Sequence, residues 1–275
     1  MKIYFAGWEA SGSLLGADVA TKVTNVLTSY FYIRKKRDFL SRWISEGKNI
    51  LLDSGAFSAW TANLTLDVRE YMKFIRIYKQ DIPNYISLDS IGDAGKSIEN
   101  YNIMLEKGYK PIPCFHYNED FKALDYYVSK SEYVGLGGMV GIDVRQKSKW
   151  LDKIFTKYPT TKFHGFGMTA YRLLFRYPWY SVDSTTWLQG GKLGKVMLPD
   201  GRVLDFSKKK EIHQNNLLRD KLIKKVFKAL DVEEAHKNYK YRNEMNVLSF
   251  LEMEKQLTEH PPKFKNKQRS LFPCS

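Results

Sequence analysis

Three aspartates stand where short apolar runs of the chain end. Asp53 ends the run NILLD, Asp89 ends NYISLD, and Asp183 lies in YSVDSTTW. A carboxylate in such a place is costly to bury without a partner. Any one of them could cap the next helix or tie a loop together. Three of them, with glycines at neighbouring run ends, favour a shared chemical site.

Two carboxylates that face one site suit substitution at a glycosidic carbon. One acts as nucleophile or charge stabiliser while the other moves protons around an oxocarbenium-like transition state. A third carboxylate can accept hydrogen bonds from the N1–H and the exocyclic amine of a purine. Guanine presents these two donors side by side and adenine does not, so the pattern predicts a guanine-type base.

Small and polar residues at other run ends complete the candidate site. Glycine lets a flat ring approach the backbone closely. His164 could line the pocket or be a satisfied strand histidine. The further candidates for substrate binding are Ser54, Gly55, His116, Gly137, Gly138 and Gly165.

Other catalytic patterns are missing from the sequence. The five histidines show no metal-ligand spacing, and two cysteines cannot form a cysteine-rich zinc site. There is no complete G-x-x-x-x-G-K-[ST] of a P-loop, since Gly95-Lys96-Ser97 follows Ser90 where the first glycine belongs, and Ser54 lies in D-S-G-A instead of a G-x-S-x-G elbow. We therefore expect neither a metal nor another cofactor.

The elements that must position these residues are eight short apolar runs separated by helical patterns. Nearly continuous apolar character indicates strands that are buried on both faces. This order predicts an α/β fold, specifically a (β/α)₈ TIM barrel with catalytic groups at the carboxyl ends of its strands. The alternative is a doubly wound sheet, although no G-x-G-x-x-G follows the first run. The runs span 2–7, 25–33, 49–55, 84–90, 110–116, 133–138, 162–167 and 180–187.

Helices are expected between the runs. Residues 65–80 place apolar side chains at helical spacing, with Thr65 available as the N-cap. Similar patterns cover 96–107, 118–130, 147–157 and 169–176.

The pattern changes after Trp187, so we divide the chain into a barrel domain, 1–206, and a basic helical extension, 207–275. Residues 190–194 are expected to form a flexible loop, and 196–206 a hairpin that turns at Pro199-Asp200-Gly201. A helix over 211–230 would close the barrel with an apolar face. That face contains Leu218, Leu222, Ile223, Val226, Phe227 and Leu230. The tail 261–275 is basic and expected to be flexible.

The charge of the chain favours a polyanionic partner. Lys and Arg number 44 against 30 Asp and Glu, a net charge of +14, and 207–275 holds 16 basic and 9 acidic residues. Nucleic acid fits this asymmetry because bound phosphates release counterions. The lysines could contact phosphates or could simply be solvated. The candidates are Lys192, Lys195, Lys221, Lys224, Lys225 and Lys228.

Length and composition exclude several classes of protein. A chain of 275 residues that is 43% hydrophobic can bury a sizeable core, which excludes a disordered, fibrous or disulfide-stapled protein. No uncharged apolar run approaches the roughly 18 to 20 residues of a membrane helix. Glu9 interrupts any signal-peptide core. We expect a soluble, cytoplasmic protein, which the scarcity of cysteine also suits.

The series of motifs between about 49 and 194 resembles the tRNA-guanine transglycosylase superfamily. Members of that family are (β/α)₈ barrels that replace guanine in a polynucleotide by a 7-deazaguanine base, and such barrels often dimerise. LLDSGAFSAW is the most specific match. The other matching motifs, in family order, are YISLDS, YVGLGGMVG, FHGFG and YSVDST.

The resemblance implies a role for each matching residue. Asp183 would be the nucleophile of a covalent glycosyl–enzyme intermediate, and Asp53 the general acid/base. Asp89 would read the guanine-like edge with help from the backbone of Gly137 and Gly138. His116 falls where the family has a base-contacting glutamine.

Departures from the family pattern concern the parts that read tRNA. The family's D-S-G-G-F-Q becomes D-S-G-A-F-S over 53–58, the cysteine-rich zinc motif is missing, and Trp187-Leu188-Gln189 replaces a Pro-Thr-Arg stretch. The chain therefore looks like the DpdA-type DNA-guanine transglycosylases of phages and bacterial genomic islands. DNA, free guanine and a 7-deazaguanine such as 7-cyano-7-deazaguanine are the implied partners.

Three alternatives stay open. The same chemistry could act on tRNA, in queuosine- or archaeosine-type modification. The protein could be a nucleic-acid-binding barrel without turnover. It could also be an N-glycosidase that hydrolyses the intermediate and leaves abasic sites.

Overall fold

A curled sheet of eight parallel strands is the centre of the molecule, for which a computed structural model describes residues 1–11, 15–207, 217 and 219–264. The strand order is β4-β3-β2-β1-β8-β7-β6-β5. The predicted α/β fold is therefore confirmed, and each strand falls within one of the eight apolar runs. The strands are β1 (Lys2–Ala6), β2 (Asn25–Ser29), β3 (Asn49–Asp53), β4 (Asn84–Tyr85), β5 (Cys114–His116), β6 (Tyr133–Gly137), β7 (Lys162–Gly165) and β8 (Ser181–Ser184).

The two edges of the sheet meet at a single parallel bridge between Ile86 and Ile112. The Ser87 N–H donates to the carbonyl of Ile112 at 2.8 Å, and the Ile112 N–H donates to the carbonyl of Tyr85 at 2.8 Å. The ladder does not continue beyond this bridge. The sheet thus curls far enough to bring β4 beside β5.

Helices connect the strands, as the sequence predicts. The first eleven are α1 (Trp8–Ser11), α2 (Ala17–Ala20), α3 (Tyr30–Ile33), α4 (Arg37–Ser45), α5 (Ala56–Thr61), α6 (Val68–Ile77), α7 (Ala94–Glu106), α8 (Phe121–Lys130), α9 (Val144–Lys157), α10 (Tyr171–Leu174) and α11 (Thr186–Lys192). The last three are α12 (Lys221–Phe227), α13 (Val232–Lys237) and α14 (Tyr239–Glu259). No helix in the described ranges has the length and apolarity needed to cross a membrane.

Three local predictions are wrong. The cap of α6 is Asp67 instead of Thr65, because the Asp67 carboxylate accepts from two N–H groups of the first turn. The apolar run 25–33 leaves the strand after Ser29, since its later residues form α3. Residues 190–194 are not all loop, because α11 extends to Lys192.

Apolar side chains fill both faces of the sheet, as expected for strands between helices. The larger cluster lies between the sheet and the helices. A smaller one occupies the inside of the curl and includes Tyr4, Leu27, Leu51, Ile86, Ile112 and Cys114. The inside of the curl is therefore packed and provides a floor for anything bound at the strand ends.

The helix that packs beside β1 is α14, which corrects the prediction that a helix over 211–230 closes the barrel. Phe250 of α14 lies 6.3 Å from Phe5, ring centre to ring centre, and Glu254 accepts from the Ile3 N–H at 2.8 Å. In α12, Ile223 and Phe227 pack against the hairpin instead. Residues 208–216 and 218, the predicted beginning of that helix and Leu218, lie outside the described residues.

The predicted hairpin is present as two antiparallel strands, β9 (Lys195–Met197) and β10 (Val203–Asp205). Gly201 turns the chain with a φ of +86°, and a Cβ there would lie 2.7 Å from the ring of Tyr171. This close contact fixes the hairpin against α10, the helix that follows β7. The tail beyond residue 264 lies outside the described residues.

Candidate active site

A cavity of about 610 Å³ opens at the carboxyl edge of the sheet. Its volume is within the range of small-molecule sites. The structure brings the three aspartates together in its wall, although they come from different strands. Of the residues proposed from sequence, Asp53, Asp89, His116, Gly137, Gly138 and Asp183 line it.

Asp183 is held through one of its two carboxylate oxygens. Oδ1 accepts from the Gly167 N–H at 3.1 Å and lies 3.2 Å from Nε2 of His164. Among the described residues, no hydrogen bond reaches Oδ2. The carboxylate is therefore oriented by one oxygen while the other is free to react.

A buried chain of hydrogen bonds lies behind Asp183. His164 is fully buried, with Nδ1 2.7 Å from Oγ of Ser181, and that Oγ is 2.5 Å from the hydroxyl of Tyr133. If Tyr133 donates to Ser181 and Ser181 to Nδ1, Nε2 carries the proton that Asp183 accepts. Each member of the chain then has a hydrogen-bond partner.

Asp53 has the electrostatic environment of an acid/base group. Burial, followed by the negative charges of Asp89 and Asp183, raises its pKa to about 7. The Gly55 N–H donates to its Oδ2 at 3.1 Å and opposes this rise only in part. Near neutral pH the carboxyl is therefore poised to give or take a proton.

Asp89 belongs to a continuous polar network in the wall of the cavity. Its Oδ1 accepts from the Ser54 hydroxyl at 2.9 Å, and its Oδ2 lies 2.9 Å from Nε2 of His116. Nδ1 of His116 is 3.0 Å from Glu119, which also accepts the His116 N–H at 2.9 Å. Both acids and the imidazole are thus fixed in position.

Cys114 is the uncharged member of this network. Its Sγ lies 3.5 Å from Nε2 of His116, and burial raises the pKa of the thiol to about 11. The pKa of His116 is raised by its neighbours Cys114, Asp89 and Glu119, although burial opposes the rise. The carboxylates of Asp89 and Glu119 contact the two ring nitrogens of His116 and stabilise its charged form.

Glycines in the site make room for protein atoms. A Cβ at Gly137 would lie 3.0 Å from Sγ of Cys114, and one at Gly138, where φ is +70°, 3.2 Å from Cβ of His116. Sequence reasoning expected a ligand ring to need this space. The structure shows that the network around His116 already uses part of it.

Three proposed residues lie behind the cavity wall. Ser54 is fully buried and acts through Asp89. Gly55, with a φ of +77°, turns the chain from β3 into α5, and a Cβ there would overlap Ser29 and Phe31. Gly165 faces Trp179, where a Cβ would be only 2.9 Å away. None of the three lines the cavity.

Sequence reasoning missed several residues of the wall. Cys114 and Glu119 escaped notice, although the segment C-F-H-Y-N-E contains both beside His116. The three groups Asp89, Cys114 and His116 place possible metal ligands within 4.8 Å of one another. The missed apolar residues are Leu27, Phe57, Ile86, Met139, Val140 and Phe166.

A patch of aromatic and basic side chains, here called the rim patch, lies beside Asp53. Its exposed aromatic rings are Tyr32, at 47%, and Phe57 and Trp60, both at 57%. Ser29, the last residue of β2, pairs with Asp53, so the segment that follows β2 leaves the sheet next to the cavity. The basic members of the patch are Arg34, Lys35, Lys36 and Arg37.

The lysines proposed for phosphate contact are exposed on α11, β9 and α12. Lys225 forms an ion pair with Glu252 at 2.6 Å, so its charge is partly neutralised. Helical spacing had indicated Lys221, Lys224, Lys225 and Lys228 from the sequence. The four consecutive basic residues 34–37 were missed, because the apolar run before them was assigned to a strand.

The chain matches no protein-family model and no curated protein. Its function must therefore be argued from the residues of the cavity and the surface around it.

Proposed function

We propose that this protein is a guanine transglycosylase that exchanges guanine in DNA for a 7-deazaguanine base. One observation carries the proposal. A single cavity holds an oriented carboxylate with a free oxygen, a second carboxyl with a pKa of about 7, and a polar network around Asp89. These are the parts that a double displacement at a glycosidic carbon requires.

The proposal includes a (β/α)₈ barrel as the complete fold. The bridge between Ile86 and Ile112 supports it, because this bridge joins the two edge strands. Helix α14 then takes the place of the eighth helix. In such a barrel the catalytic groups belong at the carboxyl ends of the strands, where the cavity opens.

Asp183 is the nucleophile in this proposal. Its Oδ2 attacks C1′ of a guanosine that has been turned out of the stack, at a cost of a few kcal/mol in lost stacking and pairing. The Asp183–C1′ bond forms as the C1′–N9 bond breaks. His164 and the Gly167 N–H keep Oδ1 in place, so that Oδ2 faces the cavity.

Asp53 moves the protons. As an acid it protonates the departing guanine, and as a base it takes the N9 proton of the incoming 7-deazaguanine. The incoming N9 then attacks C1′ and releases the Asp183 carboxylate. Two inversions give retention, and one N-glycosidic bond replaces another, so the exchange needs no energy source.

Asp89 reads the base. Its carboxylate accepts from the N1–H and the exocyclic amine, beside the backbone of Gly137 and Gly138. The bonds from Ser54 and His116 restrain the carboxylate before the base arrives, which lowers the entropic cost of binding. An adenine lacks this pair of donors and leaves the carboxylate poorly satisfied.

Nucleic acid is held by the rim patch in this account. Exposed aromatic rings offer stacking surfaces for unpaired bases, and adjacent cations attract the backbone. The patch begins beside Asp53, so a strand bound on it runs past the mouth of the cavity. The lysines of α11, β9 and α12 add to the positive field.

The experiment that tests the proposal measures incorporation of labelled guanine into duplex DNA, single-stranded DNA and tRNA in parallel. Label in DNA alone supports the function as proposed, and label in tRNA alone replaces it by tRNA modification. Abasic sites without label indicate a glycosidase. Binding of nucleic acid with neither product indicates a protein without turnover.

A further inference from the structure

Asp89 also belongs to a group of possible metal ligands in the wall of the cavity. Asp89, Cys114 and His116 offer one carboxylate oxygen, one sulfur and one ring nitrogen, all within 4.8 Å of one another. We propose that these three side chains bind a transition-metal ion of the Zn²⁺ class. The proposed exchange reaction does not require this ion.

The distances fit a tetrahedral site with little movement. Metal–sulfur and metal–nitrogen bonds of about 2.3 and 2.1 Å place these two ligands about 3.6 Å apart. Sγ of Cys114 and Nε2 of His116 are 3.5 Å apart. Nε2 and Oδ2 of Asp89 are 2.9 Å apart, a hydrogen-bond distance, and must separate by about half an ångström when a metal replaces the shared proton.

Neighbouring residues form hydrogen bonds to two of these ligands. Around a bound metal ion, such hydrogen bonds hold the ligating side chains in position. Oε1 of Glu119 lies 3.0 Å from Nδ1 of His116, which leaves Nε2 to face the ion. The Ser54 hydroxyl donates to Oδ1 of Asp89 at 2.9 Å, which leaves Oδ2. A carboxylate behind a ligating histidine and a hydrogen bond behind a ligating carboxylate both orient the metal-binding atoms.

The donor set selects the kind of ion. A thiolate, an imidazole and one carboxylate suit Zn²⁺ and Co²⁺, whereas Mg²⁺ and Ca²⁺ prefer oxygen ligands throughout. All three ligands line the cavity. A fourth position therefore faces the cavity and takes a water molecule or a ligand atom.

Metal binding has a consequence that rests on the proposed function. Asp89 cannot ligate a metal with Oδ2 and also present its carboxylate to a guanine edge. The ion and the base therefore compete, and Zn²⁺ inhibits exchange by occupying the base-reading end of the cavity. Loss of the ion would then switch the enzyme on.

Titration of the metal-free full-length protein with Co²⁺ tests the site without any assay of exchange. A Cys–Co²⁺ bond gives a near-ultraviolet charge-transfer band. We expect this band to saturate at one Co²⁺ per chain and to disappear when Zn²⁺ is added. No band at stoichiometric Co²⁺ in the unaltered protein would overturn the proposal.

Matched variants locate the ligands. Cys114→Ser should abolish the band, while Cys274→Ser, the same change at the other cysteine, should retain it. Glu119→Gln should keep the band but weaken Co²⁺ binding by about 10- to 100-fold, the effect expected of an outer partner. Circular dichroism confirms that each variant is folded. A band that survives Cys114→Ser, or is lost in Cys274→Ser, rejects the site.

Addition of guanine to the Co²⁺ protein separates the two proposals. If Asp89 also reads the base, guanine should displace Co²⁺ and the charge-transfer band should disappear. A band that forms normally but does not respond to guanine would keep the metal site and reject the base-reading role of Asp89.

Discussion

At the scale of single residues, the two oxygens of Asp183 have different surroundings, and this difference supports the nucleophilic role that we propose for this carboxylate. Oδ1 is held by His164 and by the Gly167 N–H. A side chain restrained in this way reaches the attacking geometry without further loss of freedom. The pair Asp183 and His164 is therefore the part of the site where a small change has a large effect.

Removal of the His164 imidazole should lower kcat. One hydrogen bond to a charged group contributes about 1.5–3 kcal/mol, which is roughly a 10- to 100-fold effect on rate. His164→Ala should show this loss with little change in the KM for the free base, because Asp89, and not Asp183, reads the base in the proposed function. His164→Asn keeps a donor and should recover part of the rate. An equal rise in KM in both variants would contradict a positioning role.

The raised pKa of Asp53 predicts how stability depends on pH. Folded Asp53 keeps its proton up to about pH 7, whereas an unfolded chain releases it near 3.8. Between these values the folded state binds more protons, so this group makes stability fall as pH rises. At pH 8, Asp53→Asn should thus have a larger free energy of unfolding than the unaltered protein, by on the order of 2 kcal/mol. This difference in unfolding free energy should become smaller toward pH 5.

Denaturant unfolding at pH 8 and pH 5 measures the difference in unfolding free energy between Asp53→Asn and the unaltered protein. Asp125→Asn is the opposite control, since a hydrogen bond from Lys157 lowers the pKa of the exposed Asp125. That variant should lose stability at pH 8 relative to low pH. If the difference in unfolding free energy between Asp53→Asn and the unaltered protein does not change with pH, the electrostatic role given to Asp53 is contradicted.

At the scale of elements, α14 joins the C-terminal part of the chain to the sheet. Phe250 is buried against Phe5, and Asn246 donates to the carbonyl of Lys195 at 3.0 Å. The same helix therefore contacts both the first strand and the start of the hairpin. This arrangement makes the C-terminal part a component of the core.

Phe250→Ala tests this role of α14. Loss of a buried phenylalanine side chain costs about 3–5 kcal/mol. Tyr239→Ala, on the same helix but at an exposed position, should cost much less. Equal small effects of the two changes on the unfolding free energy would show that α14 is not part of the core.

The two exposed lysines of the rim patch, Lys35 and Lys36, should contribute to nucleic-acid binding. Lys35→Ala combined with Lys36→Ala should weaken binding and reduce the salt slope by about 2, since each lost phosphate contact contributes about 0.9. The matched control is Lys79→Ala with Lys107→Ala. These two exposed lysines follow α6 and α7 and precede β4 and β5, so they lie toward the amino-terminal ends of the strands and away from the cavity. Binding curves that coincide for the two double variants would contradict the assignment.

At the scale of the whole molecule, most of the fold could be predicted from the sequence because buried parallel strands leave a strong pattern. Each of the eight apolar runs contains a strand. The apolar pattern predicted the wrong element where a short buried run could form either a strand or a helix. The run 25–33 is largely apolar, yet Tyr30 and Ile33 are buried in a helix.

Less of the site could be predicted, because its parts meet only in three dimensions. Asp53, Asp89 and Asp183 were found because each ends an apolar run. The chain from His164 through Ser181 to Tyr133 joins positions from three strands and leaves no local signal. The group around Cys114 was missed for the same reason, since Asp89 lies 25 residues before it in the sequence.

The closing helix was assigned to the wrong segment for a physical reason. The segment 211–230 has a clear amphipathic pattern, but its apolar residues Ile223 and Phe227 pack on the hairpin. Helix α14 buries polar residues such as Asn243 and Asn246 beside its apolar ones, which obscures its pattern. The buried amide of Asn246 is explained by its hydrogen bonds to the carbonyls of Trp187 and Lys195.

The measurement that tests the central claim most directly is a search for the covalent intermediate on Asp183. The protein is incubated with DNA without added base, denatured, and analysed by peptide mass spectrometry. We predict an adduct on the peptide that contains Asp183, its loss when guanine is added in excess, and its absence in Asp183→Asn. Exchange activity should fall by about 10³-fold or more in that variant. An adduct on another residue, or full exchange by Asp183→Asn, would contradict the account.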